Sequence, residues 1–488
     1  MLFIGIDLGT SSVKLILADE AGKILRESSR EYSLLQPAQG WKEIWPQTWW
    51  EAVSQAMDEL LDGTDRSAVE GIGVTGQMHT VVPLDRQGEP IRPALMWNDI
   101  RTKELIPALK ERIAGTRVSY INSFISTGSP AANLLWFRQN EPELFEKLHK
   151  FLIGPDYLVY RLTGVYGTDY CEASTSSLYD FNTLAWSPEM REIIGLPEAV
   201  YPAVRGSAEI AGTLAPTIAA RFGLRTAVKV IAGTGDNPAA SIPTGCLGCD
   251  YPVFSLGTSG VLMFSREAPD FQAKGKNVLF SFDGKTVHTL VQGVVQSCGS
   301  GYSWWNQGIL QQSIAEADRD IDLNQLGENA LLFYPHLVGD KNLYADPGLR
   351  GAFLGLSTDT TRADMTQAVM EGIAFGLRQL VEAMRVPPEV LAQLKAIGGG
   401  SKSRVWMQIL ADVLNSPVDQ LGGNVGAGYG MALLAAYSCG ALASLEDISK
   451  NAVFVKERFT PRAYNAGLYE KAYQRYLRIH DAMKAVFA

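Results

Sequence analysis

One tetrapeptide occurs twice. Leu8-Gly9-Thr10-Ser11 returns as Leu256-Gly257-Thr258-Ser259, 248 residues later in a chain of 488. The first copy lies between apolar runs at 2–6 and 13–18, which read as a β-hairpin with a Gly/Thr/Ser tip. The second is followed by a similar run at 261–264. Four residues can match by chance. The matching flanks and an offset near half the chain length favour an internal duplication, with two similar halves facing each other. The spacing is far beyond the ~20–50 residues of a solenoid repeat.

The rest of the chain alternates strands and helices. Residues 45–61 read as a helix, with Pro46 in its first turn and Trp50, Val53, Met57 and Leu60 at helical spacing. Residues 69–75 form a buried strand leading into Gly76-Gln77-Met78-His79, and 228–232 another leading into Gly233-Thr234-Gly235-Asp236. A long helix is expected over 366–385, with Val369, Ile373, Leu377, Leu380 and Met384 on one stripe. A strand end and turn follow at 396–400, then helices at 405–414 and 429–439. This pattern is α/β. The boundary falls at 246–252, dividing the chain into 1–245 and 246–488. No low-complexity linker marks it, so the halves share an interface.

Hydrophobic residues are 46% and charged residues 19%, enough apolar surface to exclude disorder along the whole chain. A net charge of −9 argues against nucleic-acid binding by bulk attraction to phosphate. The five cysteines, Cys171, Cys246, Cys249, Cys298 and Cys439, are odd in number and scattered, which fits a reducing, cytoplasmic setting. The opening Met-Leu-Phe-Ile-Gly-Ile-Asp has no basic leader and does not read as a signal peptide. No run of 18 apolar residues occurs, so no membrane span is expected.

Glycine lets backbone approach a ligand, and successive turn amides with Thr and Ser hydroxyls make an anion nest. One Gly-Thr-Ser turn alone is a hairpin tip; two from facing halves would clamp a polyphosphate. Asp7, beside the first turn, is placed to hold Mg²⁺ against phosphates, or else bonds its own turn. Asp236 follows Gly233-Thr234-Gly235 and precedes Pro238, so it or its neighbour caps a helix. It is equally placed to act as a general base in phosphoryl transfer. Gln77-Met78-His79 and Trp97-Asn98-Asp99-Ile100-Arg101 offer donors, acceptors and a stacking surface for a polyhydroxylated ligand. Gly71-Ile-Gly73-Val-Thr-Gly76 fits a dinucleotide string, but its glycines lie inside a strand, and that context fails the motif. No Walker A string is present. Cys246-Leu-Gly-Cys249 has no second ligand pair at zinc spacing.

As a set, Ile4-Gly-Ile-Asp7-Leu-Gly-Thr, Gly76-Gln77-Met78-His79, Trp97-Asn98-Asp99 with Arg101, Gly233-x-Gly235-Asp236-Asn237, Ser255-Leu-Gly-Thr258-Ser-Gly260 and Gly398-Gly-Gly-Ser401 resemble the FGGY carbohydrate kinases, within the actin/hexokinase superfamily. Within the family the set looks like the xylulokinase branch. The resemblance runs nearly the whole chain. It implies two similar actin-like/ribonuclease H-like domains around an interdomain cleft, and ATP-dependent phosphorylation of a small ketose, D-xylulose, at its terminal hydroxyl. It implies Asp236 as the catalytic base and Asp7 as the acidic residue associated with Mg²⁺. Gly9, Thr10, Ser11, Lys14, Gly257 and Thr258 fall to the phosphates, and Gly399, Gly400, Ser401 and Arg404 to the adenosine side. Gln77, Met78, His79, Asp99 and Asn237, with Asp236, fall to the sugar. A homodimer is expected on the same ground. Other acceptors within the family (another ketose, an aldonate, a polyol) and a nucleotide-driven protein of the actin or chaperone kind stand as alternatives. Two stretches depart from the branch's pattern: Gly339-Asp340-Lys341-Asn342-Leu343-Tyr344-Ala345-Asp346-Pro347, and Thr80 where glycine is usual. An ordinary aspartate pKa of about 3.9 leaves Asp236 ionised at neutral pH, so the base role needs no unusual shift.

Overall fold

The computed structural model describes residues 1–248, 251–319 and 321–487. Strand β1 (Leu2–Leu8) turns into β2 (Ser12–Asp19), which pairs with it antiparallel, and β3 (Ile24–Glu31) continues the meander. Helix α1 (Pro46–Leu61) carries the chain back to β4 (Val69–Gly76), parallel to β1. After helices α2 (Gly154–Thr163) and α3 (Tyr170–Thr175) come β5 (Ile210–Thr213), β6 (Lys229–Ile231), β7 (Thr234–Gly235) and the short helix α4 (Asp236–Ser241). The sheet order is β3-β2-β1-β4-β6-β5, with β7 also pairing with β4.

The second sheet is built from β8 (Val253–Leu256), β9 (Gly260–Arg266), β10 (Lys276–Phe280) and β11 (His288–Val295), then β12 (Lys395–Ile397), β13 (Val418–Gly423) and β14 (Val453–Phe459). Helices α5 (Arg362–Ala383), α6 (Arg404–Leu414) and α7 (Ala427–Ser438) are interleaved with its later strands. Its order is β10-β11-β9-β8-β12-β13-β14. Leaving out β10, this path matches the first sheet strand for strand. Both run antiparallel, antiparallel, parallel, parallel, antiparallel from the β3 or β11 edge. The repeated tetrapeptide sits at the same hairpin in each copy, so the echo in the sequence is an echo in topology.

The central strands are covered on both faces. Ile4, Ile6 and Leu8 of β1 pack with Trp49, Val53 and Met57 of α1 and Tyr157 of α2. Phe3, on the opposite face, joins Met431 and Leu434 of α7. Thus a helix from far down the chain covers the first sheet. It lies at backbone contact: a Cβ on Gly5 would fall 1.8 Å from the Gly428 carbonyl oxygen, and one on Gly73 2.4 Å from that of Met431. The Gly71-x-Gly73-x-x-Gly76 string therefore lies within β4, and its first two glycines face α7, whose Cys439 end crowds Gly71.

Helix α5 differs from the single stripe expected. Every residue from 366 to 377 is buried, because the helix lies between the second sheet, α6 and the strand at Leu332–Tyr334. Cys246 is buried, and Cys249 lies outside the described residues. Among the described residues no helix is long and apolar enough to cross a membrane. Gly73→Val puts a branched side chain into the α7 backbone. Overpacking of this kind costs about 1–3 kcal/mol or more, so the urea midpoint should fall by a matching amount.

Candidate active site

The first Gly-Thr-Ser turn is pinned from behind. Gly9 N–H donates to the Ser12 carbonyl at 2.9 Å. The Tyr32 hydroxyl donates to the Gly9 carbonyl and lies 3.2 Å from that of Ser12. Trp97 Nε1 donates to Thr10 Oγ1 at 3.0 Å, tying the tip to the Trp97-Asn98 segment. Asp7 ends the strand face that carries Gly5, and pairs in register with Lys14 across the hairpin. Burial pushes the Asp7 carboxyl above its ordinary value, and the Lys14 charge opposes this. Lys14 forms an ion pair with Glu27 at 2.8 Å, half-exposed on the hairpin surface.

The second turn is held by the chain that follows β11. Gly299 N–H donates to the Gly257 carbonyl at 2.9 Å, and Ser300 donates to that of Thr258 from both its backbone nitrogen (3.0 Å) and its hydroxyl (2.9 Å). The Gly-rich turn lies alongside: a Cβ on Gly398 (φ 93°) would meet the Leu256 carbonyl oxygen at 2.8 Å, and one on Gly400 would meet the Leu256 side chain and Trp406. Gly399 opens to space, whereas Ser401 is buried with its hydroxyl on the Gly398 carbonyl at 2.8 Å. Ser401 thus braces the turn. Arg404 begins α6 and reaches out to an ion pair with Glu457.

Between the halves is a cleft of about 1040 Å³. Gly9, Thr10, Gln77, Met78, His79, Asp236 and Asn237 line it from the first half, and Lys276, Asn277, Asn342 and Ala345 from the second. Gln77 is buried with neither its amide oxygen nor its amide nitrogen partnered. The Met78 sulfur sits 3.6 Å from Asn237 Nδ2. His79 takes the left-handed backbone conformation (φ 71°), with its N–H 3.4 Å from Glu172 Oε2. Burial, and then the Lys276 charge, hold its imidazole well below the usual histidine range against the Thr175 backbone, so the ring is neutral at pH 7.

Asp236 is the first residue of α4, with Gly235 at the cap position. Its carboxyl is pushed up to about 6 by burial and then by the Asp7 charge, against the Asn237 backbone N–H and Lys276. Asp236 is therefore not an ordinary aspartate, although the base role did not require a shift. Ionisation at pH 7 survives, but with a margin of about one unit instead of three.

Asp99 is not among the lining residues. It is fully buried, accepting from the Lys42 backbone at 2.6 Å and from Arg101 at both oxygens. Arg101 in turn lies over the Trp41 ring at 3.9 Å and pairs with Glu43 at 2.7 Å. Asp99 has no lone pair to spare for a sugar, and its neighbours Trp97, Asn98 and Ile100 form the wall instead. Thr80, at the position where glycine is usual, accepts the Trp97 backbone N–H at 3.3 Å. The departing 339–347 segment supplies Asn342 and Ala345 to the cleft. Lys276 and the polar turn at 126–129 were not anticipated. The turn carried a Ser/Thr/Gly signal, whereas Lys276 opens a strand with no motif around it.

Residues 2–243 match the model of the FGGY family of carbohydrate kinases, N-terminal domain, and residues 253–439 the C-terminal domain of the same family. The chain belongs to the FGGY family of carbohydrate kinases. It is 33% identical to the xylulose kinase of Bacillus subtilis (strain 168) over 484 residues, covering 99% of this chain and 97% of that one. It is 31% identical to the xylulose kinase of Escherichia coli (strain K12) over 503 residues, covering all of both. Among solved structures, the xyloylose kinase from Brucella ovis superposes with a TM-score of 0.86 at 30% identity, and the xylulose kinase from Rhodospirillum rubrum with 0.88 at 25%, each over the full length of both chains. As a family member the chain is a sugar kinase that uses ATP and has the two-domain actin-like fold.

Asp99→Ala tests the corrected assignment. Removing one partner of a buried ion pair costs about 3–5 kcal/mol. The variant should lose that much stability in urea, while the folded enzyme keeps its KM for sugar.

Proposed function

We propose that this kinase transfers the γ-phosphoryl group of ATP to the terminal hydroxyl of a small ketose, D-xylulose, giving D-xylulose 5-phosphate. The observation that carries the reading is Asp236: an acidic group in a polar cleft walled by both halves, electrostatically coupled to Asp7 and Lys276. The names of the relatives support the sugar. In this reading residues 1–245 hold the sugar and the first phosphate turn, and residues 246–488 hold the second turn and the adenosine.

Asp236 takes the proton of the attacking hydroxyl as its oxygen bonds to the γ-phosphorus and the bond to ADP breaks. Phosphoryl transfer needs placement and charge stabilisation more than covalent help, and alignment alone can supply about 7–11 kcal/mol. In this reading the phosphates take amides and hydroxyls of Gly9, Thr10 and Ser11 from the first turn and of Gly257 and Thr258 from the second. Gly399, Gly400 and Arg404 border the adenosine, with Lys14 adding charge near Asp7. Gln77 brings an unpartnered amide to the sugar, beside Met78, His79 and Asn237. The donor set fits Mg²⁺: burial raises both carboxyls and the Asp7 charge adds to the cost of ionising Asp236, which an oxygen-seeking divalent cation would relieve. Asp7 would hold the ion, directly or through water, and the ion would neutralise phosphate oxygens.

Asp236→Ala should lower kcat by about 10²–10⁴ while nucleotide still binds. Near-normal turnover by the folded variant would remove Asp236 from this role. Because only the ionised carboxylate accepts a proton, log kcat/KM should climb with unit slope as pH rises toward about 6 and level off above it. A panel of D-xylulose, D-ribulose, L-ribulose, gluconate and glycerol, read by ADP release with Mg²⁺, should rank D-xylulose first. A higher kcat/KM for the aldonate or the polyol would replace the ketose.

A further inference from the structure

Lys276 has no task in the reaction as described. It opens β10 in the second half, yet lines the cleft beside Asp236, Asn237 and His79. Its Nζ lies 2.9 Å from His79 Nε2, a contact between residues 197 positions apart. An ammonium only donates, so Nε2 is the acceptor and the imidazole proton sits on Nδ1. The backbone under the ring is fixed as well, by the Glu172 carboxylate. Among the described residues no carboxylate forms an ion pair with Lys276. Burial works against its charge, and Cys171, Glu172 and Asp236 favour it through space. One N–H of the ammonium is used on His79, and Lys276 lines the same cleft as Gln77, whose buried amide has no partner.

We propose that Lys276 is a specificity residue of the acceptor subsite. It locks His79 in the neutral, Nδ1-protonated form and gives its remaining N–H bonds to an oxygen of the bound sugar. The subsite is then complete only with both halves in place. This rests on the sugar-kinase reading of the cleft. It assigns Lys276 to the sugar and not to the nucleotide, because the second Gly-Thr turn and the Gly-rich turn contribute nothing to this wall.

The first test needs no substrate. Nitrogen-15 NMR of the histidine-labelled protein, with only five histidines and His79→Gln for assignment, should show His79 unprotonated at Nε2 and protonated at Nδ1 from pH 6 to 9. Lys276→Met should abolish that preference. The opposite tautomer in the wild-type protein overturns the proposal, whichever sugar the enzyme takes. The second test is kinetic, on the best acceptor of the panel. A hydrogen bond from a charged group corresponds to roughly 10- to 100-fold, so Lys276→Met should raise the sugar KM by that factor and leave the ATP KM within about two-fold. Lys276→Arg, which keeps the charge but replaces the compact ammonium with a longer planar fork, should fall between. If the methionine variant does not fold, Lys276→Arg and Lys276→Gln carry the comparison, the glutamine with the larger rise in sugar KM. An unmoved sugar KM, or an ATP KM that rises as much, overturns the assignment.

Discussion

The contact between α7 and the first sheet organises this molecule. Gly5 and Gly73 let the helix backbone down onto β1 and β4, and the helix answers with Gly428 and Gly430. A Cβ on Gly428 would lie 3.3 Å from that of Asp7, and one on Gly430 would fall 2.2 Å from the Ala239 carbonyl oxygen in α4. One helix therefore sets the height of the strand that carries Asp7 and of the helix that begins at Asp236. Interiors are close-packed and transmit displacements, so the spacing of the two carboxylates follows from four glycines.

That spacing has an electrostatic cost. Asp236 is held at about 6 and Asp169 likewise, while Glu172 is raised well above the usual range by burial and by Asp156, Asp169 and Asp236. A carboxyl whose folded pKa exceeds its unfolded one stabilises the fold below pH 4, and that contribution is lost as pH rises through 6. The neutral-pH enzyme thus carries its acids against stability, with the Lys276 charge set against those of Glu172 and Asp236. Burial of this kind, without full pairing, is common where groups must later meet a ligand.

Much of this was legible in the residues. The duplicated hairpin, the α/β alternation and the cluster after β4 all rest on short-range patterns, and all reappear in the fold. Dismissing the Gly-x-Gly-x-x-Gly string on its strand context also agrees with β4, although the partner helix, some 350 residues away, was out of sight. What failed did so for want of the third dimension. Asp99 reads as polar and ligand-facing until Arg101 and the Lys42 amide are seen around it. An aspartate's pKa cannot be judged before its burial is known. Lys276 has no local signature, since its meaning comes from His79 on the other half.

The seating of α7 also bears on how the protein is made. The first sheet's last strand is complete by residue 235, but the helix covering its glycine-bearing face begins at 427. At about 5–20 residues per second, a ribosome would need roughly 10–40 s to bridge that gap. Throughout that interval α7 cannot yet cover Phe3 or the glycine backbone of β1 and β4. A chaperone that shields this surface during translation, or a pause that lengthens the interval, would act on the yield of the enzyme without touching its chemistry.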